Sequence, residues 1–305
     1  MSIPIIPLTL PHAELVAAVR NACLTHGFFQ LTAHPIPPAL QAAVFAQARA
    51  FFALPLASKR AADKHGHLAG GYEAFERYAL APGTAPGLNE GFCVAAGHAP
   101  TRYPADAPAG FRATCEAYVA HMHALERRVI ALVGAGLGLA PGYFDDYFVD
   151  DVCHARLIHY FRPPGAGADR VGAAAHSDWG FLTLLLQGDV PGLEVRAADG
   201  AWIPVPPTPG AYVVNCGDLL SRFTNGVYVS ATHRVVAPPE GVHRYSVPFF
   251  SGGNPDYLVD VLPMGNEWKQ WVGEKKDEAP RVEKRWEPIT AGDYFKLKWI
   301  ESGGD

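Results

Sequence analysis

Cysteine is scarce and unpatterned: five residues (Cys23, Cys93, Cys115, Cys153, Cys216) in a chain of 305, an odd number, with no C-x-x-C pair. That argues against a disulfide framework and against a cysteine zinc site, and it points to a reducing, cytoplasmic compartment. An excess of basic charge is also lacking. Lys and Arg number 25 against 30 Asp and Glu, the net charge is −5 and the pI is near 6.2. Nothing is left over to neutralise a phosphate backbone, so no nucleic-acid partner is expected. Long apolar runs are missing too. None approaches the ~20 residues that a membrane helix needs, so no membrane partner is expected. Met1 to Pro11 carries no positive charge and is broken by Pro4, Pro7 and Pro11, unlike a secretory leader. What remains, 49% hydrophobic and 18% charged residues, is the composition of a chain that buries a large core.

Two textures divide what is present. Up to about residue 150 the apolar period is helical. Leu15, Val16, Val19, Ala22 and Cys23 stripe a helix over His12–Thr25, Gly27 stops it, and Phe28–Leu31 reads as a strand. Leu40, Val44, Ala48 and Phe51 mark a second helix over Pro37–Leu54. The Gly-, Pro- and Ala-rich stretch Gly66–Pro108 is expected to be irregular loop. A long helix is expected from Phe111 to Val133, ended by Gly134, Gly136 and Gly138. After Asp151, short β-forming runs alternate with turn signals at the spacing of a sandwich or barrel. They are Ala155–Phe161, Phe181–Gln187, Gly192–Arg196, Ala211–Asn215, Val227–Val236 and His243–Ser251. The mixed-charge stretch Glu274–Glu287 reads as a solvated surface, and a closing helix is expected near Ala291–Glu301, opened by Thr290-x-x-Asp293.

Among 13 histidines, one arrangement carries chemistry. His176-Ser177-Asp178 is an H-x-D, and residues two apart on extended chain point the same way, so both can ligate one ion. Alone the motif is expected about once by chance in such a chain. His233 supplies a third ligand from another expected strand. Two His and one carboxylate on one face of an ion form the facial triad of non-haem Fe(II) oxygenases, with open positions for co-substrate and O₂. Arg244-Tyr245-Ser246 follows, its guanidinium and hydroxyl again on one side. A buried Arg needs an anion, and its fork suits a carboxylate. Fe(II), Asp178, a dianionic keto-diacid and Arg244 sum to zero charge, which avoids a costly unpaired charge in the interior. The joint pattern arises by chance in roughly one chain in a hundred or fewer. Other polar residues receive blander readings: Asn215 and Asp218 as turn formers, His121 and His123 as helix residues facing different ways, and His65 and His67 as loop residues.

The sequence resembles the Fe(II)/2-oxoglutarate-dependent dioxygenases of the isopenicillin N synthase-like type. The stretches that carry the likeness are Ile3–Leu8, Gly27–Leu31, Leu157–Tyr160, Ala175–Gly180 (with Ser177 where Thr is common), Gly192–Val195, Val214–Asp218, Thr232–Val235, Arg244–Ser246 and Pro288–Tyr294. The resemblance implies a mainly β fold with α: a double-stranded β-helix (jelly-roll) core flanked by helices. It implies one catalytic domain over 1–305. Residues 1–150 would form a mostly helical region with strands that join the core, 151–255 the jelly roll with the metal site, and 256–305 a C-terminal extension with the closing helix. His176, Asp178 and His233 would hold iron. Arg244, Ser246 and Tyr160 would hold the distal carboxylate of 2-oxoglutarate, with no catalytic residue beyond the iron centre. The implied activity is hydroxylation, desaturation or ring closure of a small organic molecule with release of succinate and CO₂. The alternatives are a 2-oxoglutarate-independent iron oxidase of the same fold and a non-catalytic metal-binding jelly roll. Tyr72, Phe92, Phe181 and Phe250 are expected around the mouth of the site, suggesting an apolar or planar substrate.

Overall fold

The computed structural model describes residues 2–66, 69–76, 84–96, 100–167, 169–262 and 284–302. Most of the stretch Glu274–Glu287 lies outside these. Helices come first: α1 (His12–Thr25), α2 (Pro38–Phe52), α3 (Leu56–Arg60) and α4 (Phe111–Gly136). Pro at the start of α2 sits where its missing N–H costs nothing. Gly134 and Gly136 lie inside α4, which stops at Gly136 because Gly138 turns the chain with φ +70. The last helix, Ala291–Glu301, is capped by Thr290, whose side chain accepts from the backbone N–H of Asp293.

The strands form two main sheets. Eight make the larger, in the order β1 (Ile5–Pro7), β2 (Phe28–Thr32), β10 (Tyr212–Cys216), β7 (Leu182–Gln187), β12 (Arg244–Ser251), β5 (Cys153–Tyr160), β4 (Asn89–Ala96) and β3 (Gly71–Glu73). Four make the smaller: β6 (Ala173–His176), β11 (His233–Val235), β8 (Leu193–Arg196) and β9 (Trp202–Pro204). Strands from the first hundred residues therefore complete both edges of the larger sheet. Gly66–Pro108 is not all loop, as its composition suggests. β3 and β4 arise there because β5 offers β4 a full antiparallel register, from Asn89 opposite Tyr160 to Ala96 opposite Cys153. Cross-strand pairing overrides weak local propensity. In Val227–Val236 the reverse holds, and only His233–Val235 is paired.

Strand parity sorts the side chains. One face of the large sheet (Phe92, Val94, Ala155, Leu157, Leu184, Leu186, Val247, Phe249) is buried against Val44, Phe51, Tyr118, Met122 and Leu125 of the helices. The other faces the small sheet, through Phe28, Leu185 and Val213 against Leu193, Val195 and Ile203. A large sheet covered on both sides explains why its strands read as nearly continuous apolar runs.

Helix α4 carries one exception to an apolar interior. Glu126 is wholly buried, and burial pushes its carboxyl from the ordinary 4.5 up to about 7. The folded state holds that proton more tightly than the unfolded state. Its contribution to stability is therefore complete below about pH 4.5 and declines until pH passes about 7. Glu126→Gln should cancel a loss on the order of 3 kcal/mol. Its melting temperature should match that of the natural protein at pH 4.5 and exceed it at pH 8.

Candidate metal centre and co-substrate pocket

His176 ends β6 and His233 begins β11, and antiparallel pairing sets the two residues directly opposite one another. Their ring centroids are 4.3 Å apart. Asp178 lies two residues past His176, and its backbone carbonyl accepts from the N–H of Asp218 at 2.8 Å. This loop packs tightly on the end of β10: a Cβ at Gly217 would lie 2.1 Å from the carbonyl oxygen of Gly180, so only glycine fits. His176 Nε2 and His233 Nε2 stand 3.7 and 3.6 Å from Asp178 Oδ1. One ligand atom from each of the three residues falls within 4.8 Å of the others.

Every other side-chain polar atom of the three is engaged. His176 Nδ1 donates to the carbonyl of Ala174 at 2.7 Å and His233 Nδ1 to that of Ala231 at 3.2 Å. Those bonds fix the tautomer that leaves each Nε2 with a free lone pair. Asp178 Oδ2 accepts from the Thr183 hydroxyl at 2.6 Å and the Asn215 amide at 2.7 Å, leaving Oδ1 for a ligand. Burial, then the neighbouring His233, pushes the His176 imidazole down to about 4. Burial alone would raise the Asp178 carboxyl. His233, His176 and the two hydrogen bonds reverse this and hold it below the ordinary range. At neutral pH His176 is a neutral imidazole and Asp178 a carboxylate, the forms that metal ligation requires. Three atoms bonded to one ion at ~2.1 Å lie ~3–3.4 Å apart, so a small inward movement of these side chains accommodates one. The residues fit the group.

Beside this cluster, parity lines one cavity of about 350 Å³ with the even residues of β5 and β12: His154, Arg156, Ile158 and Tyr160, then Arg244, Ser246, Pro248 and Phe250. Arg244 is 1% exposed. Its NH2 donates to Gln187 Oε1 at 3.1 Å, NH1 reaches Ser246 Oγ at 3.4 Å, and its guanidinium lies 4.8 Å over the ring of Tyr160, opposite it on β5. Its Nε has no partner, and no carboxylate of the described residues pairs with it. Burial lowers its pKa. A buried cation with an unused donor, facing a cavity, fits a carboxylate that is not part of the chain.

Sequence reasoning foresaw most of this grouping and missed some of it. His176, Asp178, His233, Arg244, Ser246, Tyr160 and Phe250 all line the cavity. Tyr72, Phe92 and Phe181 do not, and that expectation is corrected. Tyr72 and Phe92 are wholly buried around Phe51 and Phe111, under α2 and α4. They occupy the strand face opposite the cavity, and the Tyr72 hydroxyl is held by Glu90 at 2.6 Å. Phe181 packs among Phe144, Tyr147 and Phe148. Asn215 is no turn former: it is in β10, bonded to Asp178. Asp218 is a structural hub, accepting from Ser177, Ser230 and Tyr294. His123, expected to have no part in a ligand cluster, stands with Asp151 and Cys153 in a second group of potential ligand atoms. Arg127 binds the same Asp151 oxygen at 3.2 Å and competes with any cation there.

Residues 152–253 match the 2OG-Fe(II) oxygenase superfamily, and residues 3–110 match the family described as non-haem dioxygenase in morphine synthesis N-terminal. The 2-oxoglutarate-Fe(II) type oxidoreductase hxnY of Emericella nidulans is 40% identical over 312 residues, covering 96% of this chain and 86% of that protein. The chain belongs to the 2OG-Fe(II) oxygenase superfamily. A further relative, the 2-oxoglutarate-dependent dioxygenase citB of Monascus ruber, is 40% identical, with 84% of each chain covered. In structure the oxygenase is similar to a full-length Neurospora crassa protein crystallised in complex with alpha-KG and thymine, with a TM-score of 0.82, 28% identity, and 98% and 96% of the two chains covered. The fold is accordingly the jelly roll of these oxygenases. The protein is an enzyme that uses Fe(II) and 2-oxoglutarate to oxidise a small organic molecule. No helix among the described residues is long and apolar enough to cross a membrane.

Proposed function

We propose that His176, Asp178 and His233 are the iron ligands of this oxygenase, and that Arg244, with Ser246 and Tyr160, seats the distal carboxylate of 2-oxoglutarate. One observation carries the reading. Both Nε2 atoms and Asp178 Oδ1 converge while every other side-chain polar atom of the three residues is already bonded. Bound there, Fe(II) and 2-oxoglutarate supply the oxidising chemistry, in which O₂ is consumed and succinate and CO₂ are released. The chain supplies placement. Ala174 and Ala231 aim the imidazoles, Thr183 and Asn215 turn the carboxylate, and Arg244 fixes the far end of the keto acid so that its keto-acid end faces the metal. Tyr160 and Ile158, with Ala173 and Val235, close that end of the cavity with a small apolar cluster that keeps water from it.

The whole chain acts as one catalytic domain of the isopenicillin N synthase-like branch, because Phe28 and Glu73 on strands of the N-terminal part and Phe295 and Trp299 on the last helix wall the same cavity. Five buried free thiols and an iron that must stay ferrous suit a cytoplasmic setting, with neither nucleic acid nor membrane as partner. Succinate release and O₂ uptake should both require added 2-oxoglutarate and stop with a chelator. O₂ uptake that continues unchanged without 2-oxoglutarate would replace this reading with an oxidase that uses Arg244 for its substrate's own carboxylate.

A further inference from the structure

Sheet register sets one row of side chains across the cavity. Asn215 on β10 pairs with Thr183 on β7, Thr183 with Phe250 on β12, and Phe250 with His154 on β5. All four line the cavity. The Asn215 and Thr183 end of the row belongs to the metal cluster, because both side chains donate to Asp178 Oδ2. Neighbouring strands lie ~4.8 Å apart, so His154 stands roughly 10 Å from Thr183 with Phe250 between them. The His154 ring lies at 31° to that of Phe250, with centroids 5.0 Å apart.

His154 differs from the other histidines of the cavity wall. His176 and His233 each bond a backbone carbonyl through Nδ1. Neither ring nitrogen of His154 has a hydrogen-bond partner among the described residues, and its ring contact is with Phe250. Along β5 every position is buried except 154 and 156, which are half-buried and turned to the cavity. Burial pushes the His154 imidazole down to about 3, so it is neutral. A neutral imidazole offers one N–H donor and one acceptor lone pair. Withdrawing both from bulk water with no partner is costly, and stacking on Phe250 uses only the face of the ring. Arg156, the next residue on this face, is committed elsewhere: its Nε donates to Glu73 Oε2 at 2.6 Å and its NH2 to Asn89 Oδ1 at 3.3 Å.

We infer that His154 determines substrate specificity by hydrogen-bonding an uncharged polar group (a hydroxyl, a carbonyl or a ring N–H) at one end of a planar substrate. The body of that substrate lies over Phe250, and its other end meets the metal cluster. The inference rests on the oxygenase reading of this cavity and deepens it. The row supplies the chemistry. Its span leaves room for a small ring system, the ring of Phe250 gives that system a flat apolar bed, and His154 supplies a donor and an acceptor at the far end. An anion fits poorly there. The neutral imidazole brings no charge to it, and the guanidinium of Arg156 already has a carboxylate.

The test uses the full chain under nitrogen with Fe(II) and saturating 2-oxoglutarate. The visible absorption of the iron–2-oxoglutarate complex is read first. Its failure to form would sink the oxygenase reading, whereas the titrations that follow judge His154. Phenol, benzamide and 2-pyridone are titrated calorimetrically beside toluene and benzoate. At least one of the three uncharged polar probes should bind about tenfold or more tightly than both toluene and benzoate, the effect of one well-made buried hydrogen bond. His154→Phe keeps a flat ring without its nitrogens. It should erase the preference over toluene while leaving toluene binding within about twofold, a split that a merely structural role for His154 would not produce. His154→Gln restores a donor and an acceptor and should recover part of the preference. His154→Leu decides the matter if His154→Phe fails to fold. Polar probes that bind no better than toluene or not at all, benzoate binding the tightest, or a preference that survives the loss of both ring nitrogens overturns the inference.

Discussion

His176→Ala and His233→Ala proteins are expected to pass through gel filtration without iron and to show no 2-oxoglutarate turnover above background. Each removes one of three atoms that converge within 4.8 Å. Loss of an outer hydrogen-bond partner alone typically costs a metal site ~10–100-fold in affinity, so loss of a ligand should exceed ~100-fold. The fold should survive. His233 is 7% exposed beside an open cavity, and its replacement removes no aliphatic packing from the helices. Circular dichroism separates a lost metal from a lost fold. Iron content by mass spectrometry decides the assignment, and a folded His233→Ala protein that keeps one iron per chain and full turnover would refute it.

Arg244→Met should have the second-largest effect, and it should act in two directions. Removing one partner of a buried, hydrogen-bonded charge pair costs ~2–5 kcal/mol, so the 2-oxoglutarate KM should rise ~30-fold to several thousand-fold. The protein free of 2-oxoglutarate should become more stable. Arg244 is buried with Nε unpartnered and no carboxylate of the described residues beside it, and Met is an apolar chain of similar reach. Arg244→Lys keeps the charge without the fork and should fall between the two. Thermal melts with and without 2-oxoglutarate, alongside the KM, check both signs. An unchanged KM would remove Arg244 from the co-substrate end.

Acidic pH should spare His176 as a ligand longer than free histidine would suggest, since burial already holds it neutral, at about 4. The same burial keeps His154 neutral, at about 3. Neither His154 nor His176 therefore changes the charge of the cavity across the neutral range.

Local spacing decided much of this protein. Two side chains at i and i+2 on a strand share a face wherever that strand ends up, so His176-x-Asp178 and Arg244-x-Ser246 were legible as pairs in the sequence. Helical stripes from Leu15 to Cys23 and from Phe111 to Leu132 were legible for the same reason: period is a property of neighbours along the chain. The alternation of short β runs and turns after Asp151 indicated the class of fold.

Only the tertiary structure decided which strand lies beside which, and thus what each face meets. The pairing of β4 with β5 made a strand out of a Gly- and Pro-rich stretch. It turned Phe92 and Tyr72 to the helices while aiming Asn89, Glu73 and Arg156 into the cavity. Asn215 meets Asp178 across 37 residues of chain, and Arg156 meets Glu73 across 83. No sequence period links such positions. Their contact depends on sheet order and register, and a shift of one residue would have exchanged the cavity's charges for its core aromatics.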